Sequence, residues 1–224
     1  MNLEDFEKSI GYKFNNINLL KTALTHTSYA HERKTDSNEK LEFLGDAVLE
    51  FTVSSYLYES FKSLKEGEMT KVRATVVCEG SLYEVAKKHN FSDFLFLGRS
   101  EKLSNGKNKP AILADSVEAV IAAIYMDSGI EAARKFIIEN LRQAIETASK
   151  NVGVKDYKTV LQEKLQEHGT VEIKYTISEE DCPDFTKTFT AEVSCDGKKL
   201  AKGVGKTKKR AEMEAAKNAL EKVK

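Results

Sequence analysis

Two stretches of this chain place carboxylates where a folded protein has reason to avoid them. In Asn38-Glu39-Lys40-Leu41-Glu42-Phe43-Leu44-Gly45-Asp46-Ala47-Val48-Leu49-Glu50-Phe51, the acids Glu39, Glu42 and Asp46 are spaced by three and then four residues. On a helix, at about 100° per residue, they share roughly 60° of arc. Like charges at this spacing repel, and Phe43 and Leu49 flank them. In Ala111 to Met126 the only charges are Asp115 and Glu118, one turn apart on a segment that is otherwise almost wholly apolar. Burying such a pair costs several kcal/mol per charge, as an order of magnitude. Either basic side chains neutralise these acids or they coordinate a cation; the pair Asp115/Glu118 could also simply cap the first turn of a core helix. If the two segments meet, Glu42, Asp46, Asp115 and Glu118 form an all-oxygen set of the kind that suits Mg²⁺ or Mn²⁺ rather than zinc.

Helices must carry these groups. Spacing predicts a helix from Asn38, as N-cap, to about Tyr58, with Leu41, Leu44, Val48 and Phe51 as its core stripe. Upstream, residues 3 to 30 read as short helices with a turn near Gly11, and Thr25-His26-Thr27-Ser28 follows them. His26 is the one residue there equipped for chemistry, and a single histidine near a helix end is read as structural. Lys65 to Thr70 breaks the pattern, and a further helix is expected from about Met69 to His89. Gly98 to Lys109 reads as a loop. The helix from Ala111 is apolar nearly all round and should be buried, and helix resumes from Ile130 to about Ser149.

Composition changes after residue 150. Residues 150–156 read as a linker. Tyr157 to His168 is amphipathic, with Val160, Leu161 and Leu165 inward and Gly169 as its C-cap. Three strand-like runs follow, Val171–Ile177, Phe185–Ser194 and Leu200–Val204, and Asp196-Gly197 turns the last two into a hairpin. A closing helix is expected over about 207–223. The order is α-β-β-β-α. From Lys198 to Arg210 there are seven basic residues and no acidic one. Lys206, Lys208 and Lys209 stand at the start of the last helix, where the macrodipole disfavours cations unless an anion compensates. The repeated phosphodiester charge of nucleic acid is the natural partner.

Net charge is zero over 224 residues, so this local run, and not overall balance, argues for a polyanion. Three cysteines without a C-x-x-C pair indicate neither a disulfide framework nor a zinc site. No apolar run approaches about 18 residues, and the start lacks the basic n-region of a signal peptide. The expectation is a cytoplasmic protein with no membrane segment.

Residues 157–224 resemble a double-stranded RNA-binding domain, through Asp156-Tyr-Lys-Thr159-Val-Leu-Gln162-Glu163, the Pro183 loop, Thr188 to Val193 and Gly203-Val-Gly205-Lys-Thr-Lys208-Lys209-Arg-Ala211. Residues 1–149 resemble the catalytic and dimerisation domain of bacterial ribonuclease III, through Thr25 to Ser28, Asn38 to Leu49, Glu66-Gly-Glu-Met69 and Ile112 to Asp127. The resemblance implies an all-α endonuclease domain followed by the RNA-binding domain. It also implies a homodimer and Mg²⁺-dependent hydrolysis (Mn²⁺ as a plausible substitute) of double-stranded RNA. The ends left would be 5′-phosphate and 3′-hydroxyl with short 3′ overhangs, on ribosomal RNA precursors and structured messengers. Carried onto this chain, Glu42, Asp46, Asp115 and Glu118 are the catalytic metal-binding set. Glu39 and Glu66 support the site or contact RNA, and Phe43 packs across the dimer interface. Thr159, Gln162, Glu163 and the Pro183 loop meet successive minor grooves, while Lys206, Lys208 and Lys209 grip phosphates across the major groove between them.

Two positions depart from the family pattern: Phe185 stands where His is common and cannot donate its hydrogen bond, and Thr27 replaces a usual Arg. Two other readings are a binding-only protein with a degenerate nuclease domain and a helical dimerisation domain fused to an RNA module. The intact four carboxylates argue against the first, and Asp115 and Glu118 in an apolar helix against the second.

Overall fold

The computed structural model describes residues 2–152, 157–167, 170–180 and 188–223, excluding the side chains of Glu179 and Glu180. The linker residues 153–156, the Gly169 cap and the loop with Pro183 and Phe185 lie outside the described residues. The chain divides into two compact units, Met1–Gly153 and Val154–Lys224.

The first unit is helical: α1 (Leu3–Ile10), α2 (Ile17–Ala23), α3 (Thr27–Arg33), α4 (Glu39–Ser60), α5 (Glu66–Val76), α6 (Glu79–Lys88), α7 (Arg99–Leu103) and α8 (Pro110–Asn151). At the centre is the first half of α8, where Val117, Ala119, Val120, Ile121, Ala123 and Ile124 are all buried. Pro110 at the first position presets the helical φ. Gly129 breaks α8 with φ 79° and ψ −176°, a conformation that suits glycine. Asp127, beside the break, accepts the Asn15 and Asn16 backbone N–H groups at 2.9 and 2.8 Å and the Tyr12 hydroxyl at 2.7 Å. It thereby ties the α1–α2 turn to α8.

The orientation of α4 corrects the expected stripe. Leu49, Val53 and Leu57 are buried with Val48, whereas Leu41 and Leu44 are only partly covered and Phe51 is 62% exposed. Gly45 is the physical reason. A Cβ there would lie 1.9 Å from the Glu118 carbonyl oxygen, so α4 rests its bare backbone on α8 and turns the neighbouring residues to suit. Asn38 is the N-cap residue, but its side chain makes no capping bond. It is buried, and its N–H donates to the Thr25 carbonyl at 2.8 Å.

The helix expected over Met69–His89 is two helices, and the first begins earlier, at Glu66. The β-branched run Thr75-Val76-Val77 weakens helical propensity, and Cys78 turns extended at ψ 157°. The Cys78 thiol and Ser81 hydroxyl both take up the Thr75 carbonyl, at 3.2 Å each. The loop expected over Gly98–Lys109 contains α7 and a 3₁₀ turn at Gly106–Asn108. Lys109 pairs with Glu101 at 2.6 Å across it.

The second unit runs α9 (Tyr157–Gln166), β1 (Ile173–Glu180), β2 (Thr188–Cys195), β3 (Lys198–Gly205) and α10 (Lys208–Leu220), with an antiparallel sheet in the order β1-β2-β3. Asp196 and Gly197, at φ 47° and 78°, form the hairpin turn. Its register pairs Cys195 with Lys198. Leu161, Ala191, Val193 and four alanines of α10 make the core, while Val160, expected inside, is 40% exposed. The sheet meets α10 almost backbone to backbone: a Cβ on Gly203 would stand 2.1 Å from the Ala215 nitrogen.

Candidate metal centre and nucleic-acid interface

α4 and α8 bring the two acidic stretches together. One carboxylate oxygen each from Glu42, Asp115 and Glu118 lies within 4.8 Å of the others. Asp46 stands outside that tight group, with an exposed side chain. It is near enough that its charge acts on Glu118 more strongly than those of Asp115 or Glu42. Among the described residues, no hydrogen bond or ion pair reaches the carboxylate of Glu42, Asp46, Asp115 or Glu118.

Burial and mutual repulsion both show in the titration of Glu42, Asp115 and Glu118. Burial, then the charges of Asp46, Asp115 and Glu42, push the Glu118 carboxyl up to about 8. Burial, then Asp115, Glu39 and Asp46, raise Glu42. Burial and then Glu79 raise Asp115, with His26 opposing. Glu79, at the start of α6, therefore acts on the group from outside it, as Glu39 does. Nothing in its local sequence marked it, because only the packing of α6 on α8 brings it there.

The remaining first-unit candidates fall in three places. Glu39 starts α4 and accepts the Ser37 hydroxyl at 2.9 Å. Glu66 starts α5, accepts the Thr70 hydroxyl at 3.0 Å and lines a recess with Tyr58 and Arg73. It is not one of the three grouped carboxylates. Phe43 is 82% exposed. One and two turns further along α4, Ala47 and Phe51 continue its face, and Leu44, Tyr125 and Ile130 complete a recess of about 260 Å³ around them. Phe43 and Phe51 thus stand exposed along one side of α4.

Thr159, Gln162 and Glu163 are exposed on α9. Lys206 follows the end of β3, and Lys208 and Lys209 open α10 behind the Thr207 cap, whose hydroxyl accepts the Arg210 N–H at 3.2 Å. No acid occupies that first turn. A Cβ on Gly205 would meet the Ala211 nitrogen at 2.5 Å, so this glycine lets the strand end pack against the start of α10, with the lysines gathered there. Among the described residues no helix is long and apolar enough to cross a membrane.

A helical unit with a bare acidic group, joined to an α-β-β-β-α unit with lysines at a helix start, defines a duplex-directed nuclease architecture. Residues 16–145 match the ribonuclease-III-like family model, and residues 157–223 match the double-stranded RNA binding motif. The chain is 45% identical over 222 residues to ribonuclease 3 of Clostridium kluyveri, covering 99% of this chain and 91% of that protein. With ribonuclease 3 of Clostridium tetani it is 43% identical, covering 99% and 94%. The nuclease domain of ribonuclease III from Campylobacter jejuni superimposes with a TM-score of 0.59 at 41% identity, covering 63% of this chain and 99% of that one. That structure is described by flexibility in a region involved in dimer formation. Dicer from Pichia stipitis shares the fold, with a TM-score of 0.51 at 24% identity. The chain belongs to the ribonuclease III family. It is an endoribonuclease with a double-stranded-RNA-binding domain.

Proposed function

We propose that this enzyme hydrolyses double-stranded RNA at a magnesium centre held by Glu42, Asp115 and Glu118, with Asp46 completing the set. The observation that carries the reading is the unpaired group itself: three carboxylates within 4.8 Å of one another, with no ammonium or guanidinium bonded to them among the described residues. Oxygen-only donors favour a hard divalent ion, Mg²⁺ first and Mn²⁺ as a substitute. When bound, such an ion supplies a water nucleophile at neutral pH and stabilises the leaving oxygen of the diester.

The protein's own contributions are distinct. The α4–α8 contact at Gly45 fixes the spacing of the acids. Glu118 holds a proton below about pH 8 and must release it to act as a ligand. Glu39 and Glu66 support the site or contact RNA. Thr159, Gln162 and Glu163 on α9, with the Pro183 loop, read the shape of the minor groove, and Lys206, Lys208 and Lys209 hold phosphates. Residues 1–149 act as a homodimer through the Phe43–Phe51 face, so that two sites cut opposite strands and leave 5′-phosphate and 3′-hydroxyl ends with short 3′ overhangs. Ribosomal RNA precursors and structured messengers in the cytoplasm are the substrates this reading assigns.

The test is cleavage of a long RNA duplex by the purified chain with Mg²⁺ and with EDTA. Fragments should form only with Mg²⁺; full-length RNA in both tubes sinks the proposal. Glu118→Gln should bind the duplex and leave it uncut. Loss of binding by that variant would assign Glu118 to the fold instead.

A further inference from the structure

His89 is buried at the C-terminal end of α6, and both of its ring nitrogens face groups that can only accept. Nδ1 stands 2.7 Å from the Ser9 carbonyl oxygen on α1. Nε2 stands 2.8 Å from Oδ1 of Asn140 on α8. The Asn140 amide has one workable orientation. Its Nδ2 donates to the Phe136 carbonyl at 2.9 Å, and its Oδ1 accepts from the Lys88 ammonium at 2.8 Å. A carbonyl has nothing to donate and an ammonium nothing to accept, so turning the amide over would set like groups against each other at both ends. Each ring nitrogen therefore needs its own proton. A neutral imidazole carries one; this geometry is that of an imidazolium.

The same residue fastens α1. The Ser9 hydroxyl donates back to the His89 carbonyl at 3.0 Å, closing a two-way link between α1 and the end of α6. One turn earlier on α1, Phe6 is fully buried, its ring 4.8 and 5.0 Å from those of Phe91 and Phe94. The charged side chains beside these contacts are mostly engaged with one another. On α6, Lys88 shares the Asn140 oxygen and so opposes a second cation there, while Glu84 is paired with Lys87 at 3.1 Å. On α1, Lys8 is paired with Asp5 at 3.5 Å, and Glu7 accepts the Phe14 N–H at 2.7 Å. On α8, Glu139 is paired with Lys135 at 4.0 Å. Asp93 stands in the short 3₁₀ turn Phe91–Asp93 that follows α6. Among the described residues no carboxylate is bonded to the His89 ring. Two neutral oxygens hold its protons, one from α1 and one from α8.

We infer that His89 is a proton-dependent clasp: its doubly protonated ring ties α1 to α8, and loss of either proton loosens α1. Removing one proton sets a ring lone pair against an oxygen lone pair at 2.7 or 2.8 Å and leaves a buried acceptor unpaired. The sign follows directly. The clasp is closed in acid and opens as the pH rises, because only the charged ring serves both oxygens. Two substitutions separate the charge from the packing. Gln at position 89 offers one donor and has no proton to lose, so it cannot respond to pH. Asp at position 140 sets a carboxylate against the ring and the Lys88 ammonium, which favours keeping the second proton.

The experiment is nuclear magnetic resonance of the full chain from about pH 5 to about pH 9, a range that spans ordinary imidazole titration. The ring nitrogen resonances of His89 report which nitrogens carry protons. Hydrogen exchange of the Lys8, Ser9 and Ile10 amides, divided by the intrinsic rate at each pH, reports the opening of α1. This readout is local to α1, which separates it from the titration of Glu118 between α4 and α8. While α1 is protected, both His89 nitrogens should be protonated. As one proton leaves, the opening of α1 should grow about tenfold or more. His89→Gln should leave that opening flat across the range. Asn140→Asp should move the loss of the proton and the rise in opening together to higher pH. A ring with a single proton beside a fully protected α1 overturns the inference, as does a pH response of α1 that survives His89→Gln. Should His89→Gln not fold, Asn140→Asp decides, and an opening of α1 that fails to follow the ring proton overturns the clasp.

Discussion

Gly45→Ala tests whether the contact between α4 and α8 sets the geometry of the acidic group. The new methyl carbon would stand 1.9 Å from the Glu118 carbonyl oxygen and 2.5 Å from its carbonyl carbon, where real contacts stay beyond 3.0 Å. Both obstacles are backbone in the middle of a core helix, so no side chain can swing aside. The helices must part by about 1.1 Å, the difference between 3.0 and 1.9 Å. Overpacking of this kind costs about 1–3 kcal/mol, which a domain of this size can survive. The centre is less forgiving. Glu42 and Asp46 lie on one helix and Asp115 and Glu118 on the other, and metal–ligand distances tolerate only about 0.2 Å. A displacement near 1 Å at reacting groups costs on the order of a hundredfold in rate. The assay is the initial cleavage rate of a long duplex at saturating Mg²⁺, with the melting temperature measured in parallel. Gly67→Ala on α5 is the control, because a Cβ there meets nothing within 4 Å, and alanine should add up to about 1 kcal/mol of helix stability. A Gly45→Ala enzyme that cuts and melts like wild type would refute the argument that this glycine positions the carboxylates.

Titration of Glu118 gives a second expectation. Its folded-state pKa, about 8, lies above the ordinary 4.5. Between those values the folded protein keeps a proton that the unfolded chain has released. Stability of the metal-free protein should therefore fall as pH rises from about 5 to about 8 and level off above that. Glu118→Gln should flatten this slope, as read by denaturant midpoints. Mg²⁺ binding at pH 7 should release protons, visible in calorimetry as a dependence of the heat on the buffer used. Lys209→Ala should weaken duplex binding and reduce the slope of log affinity against log salt by about 1; an unchanged slope would remove Lys209 from the phosphate contacts. Phe51→Asp should leave the fold intact, since that ring is already 62% exposed. It should nevertheless shift sedimentation from dimer to monomer if the Phe43–Phe51 face joins two copies.

The parts of this molecule legible in the sequence are those that local pattern controls. The Asp196-Gly197 hairpin, the run of lysines at α10 and the long apolar α8 depend on neighbours in the chain and stand where spacing put them. The pairing of Glu42 with Asp115 and Glu118 was legible for another reason: both stretches carried an electrostatic cost that local structure left unexplained. The face of α4 was not legible. Amphipathic spacing assigned Phe51 to the core, because a periodicity argument weighs side chains and gives no weight to a missing one. At Gly45 the absent side chain decides the packing, and the helix rotates to bring Leu49 and Val53 inside. The split between α5 and α6 was missed similarly, since the end is made by Cys78 and Ser81 capping a carbonyl rather than by glycine or proline. That the charge of Glu79 acts on Asp115 could not be read at all. That influence arises only because α6 packs on α8, and the two helices lie far apart in the chain.

Elsewhere in the same protein, partly buried carboxylates are treated differently, and the contrast bears on what the acidic group is for. Glu101 is paired with Lys109 at 2.6 Å, Glu212 with Lys158 at 2.9 Å and Glu192 with Lys199 at 2.8 Å. This chain carries as many basic as acidic residues, so a partner for Glu118 was available at the cost of one substitution. A lysine in that position would relieve the repulsion that holds Glu118 protonated, and its ammonium would occupy the place a cation needs. Without one, the fold tolerates the group by keeping a proton on its most buried member. A proton can be displaced by a divalent ion under the proposed reading, whereas the ammonium of a lysine would compete with it for the same carboxylates. The destabilisation of the metal-free protein is thus the condition for loading it, and a variant that cures the one should abolish the other.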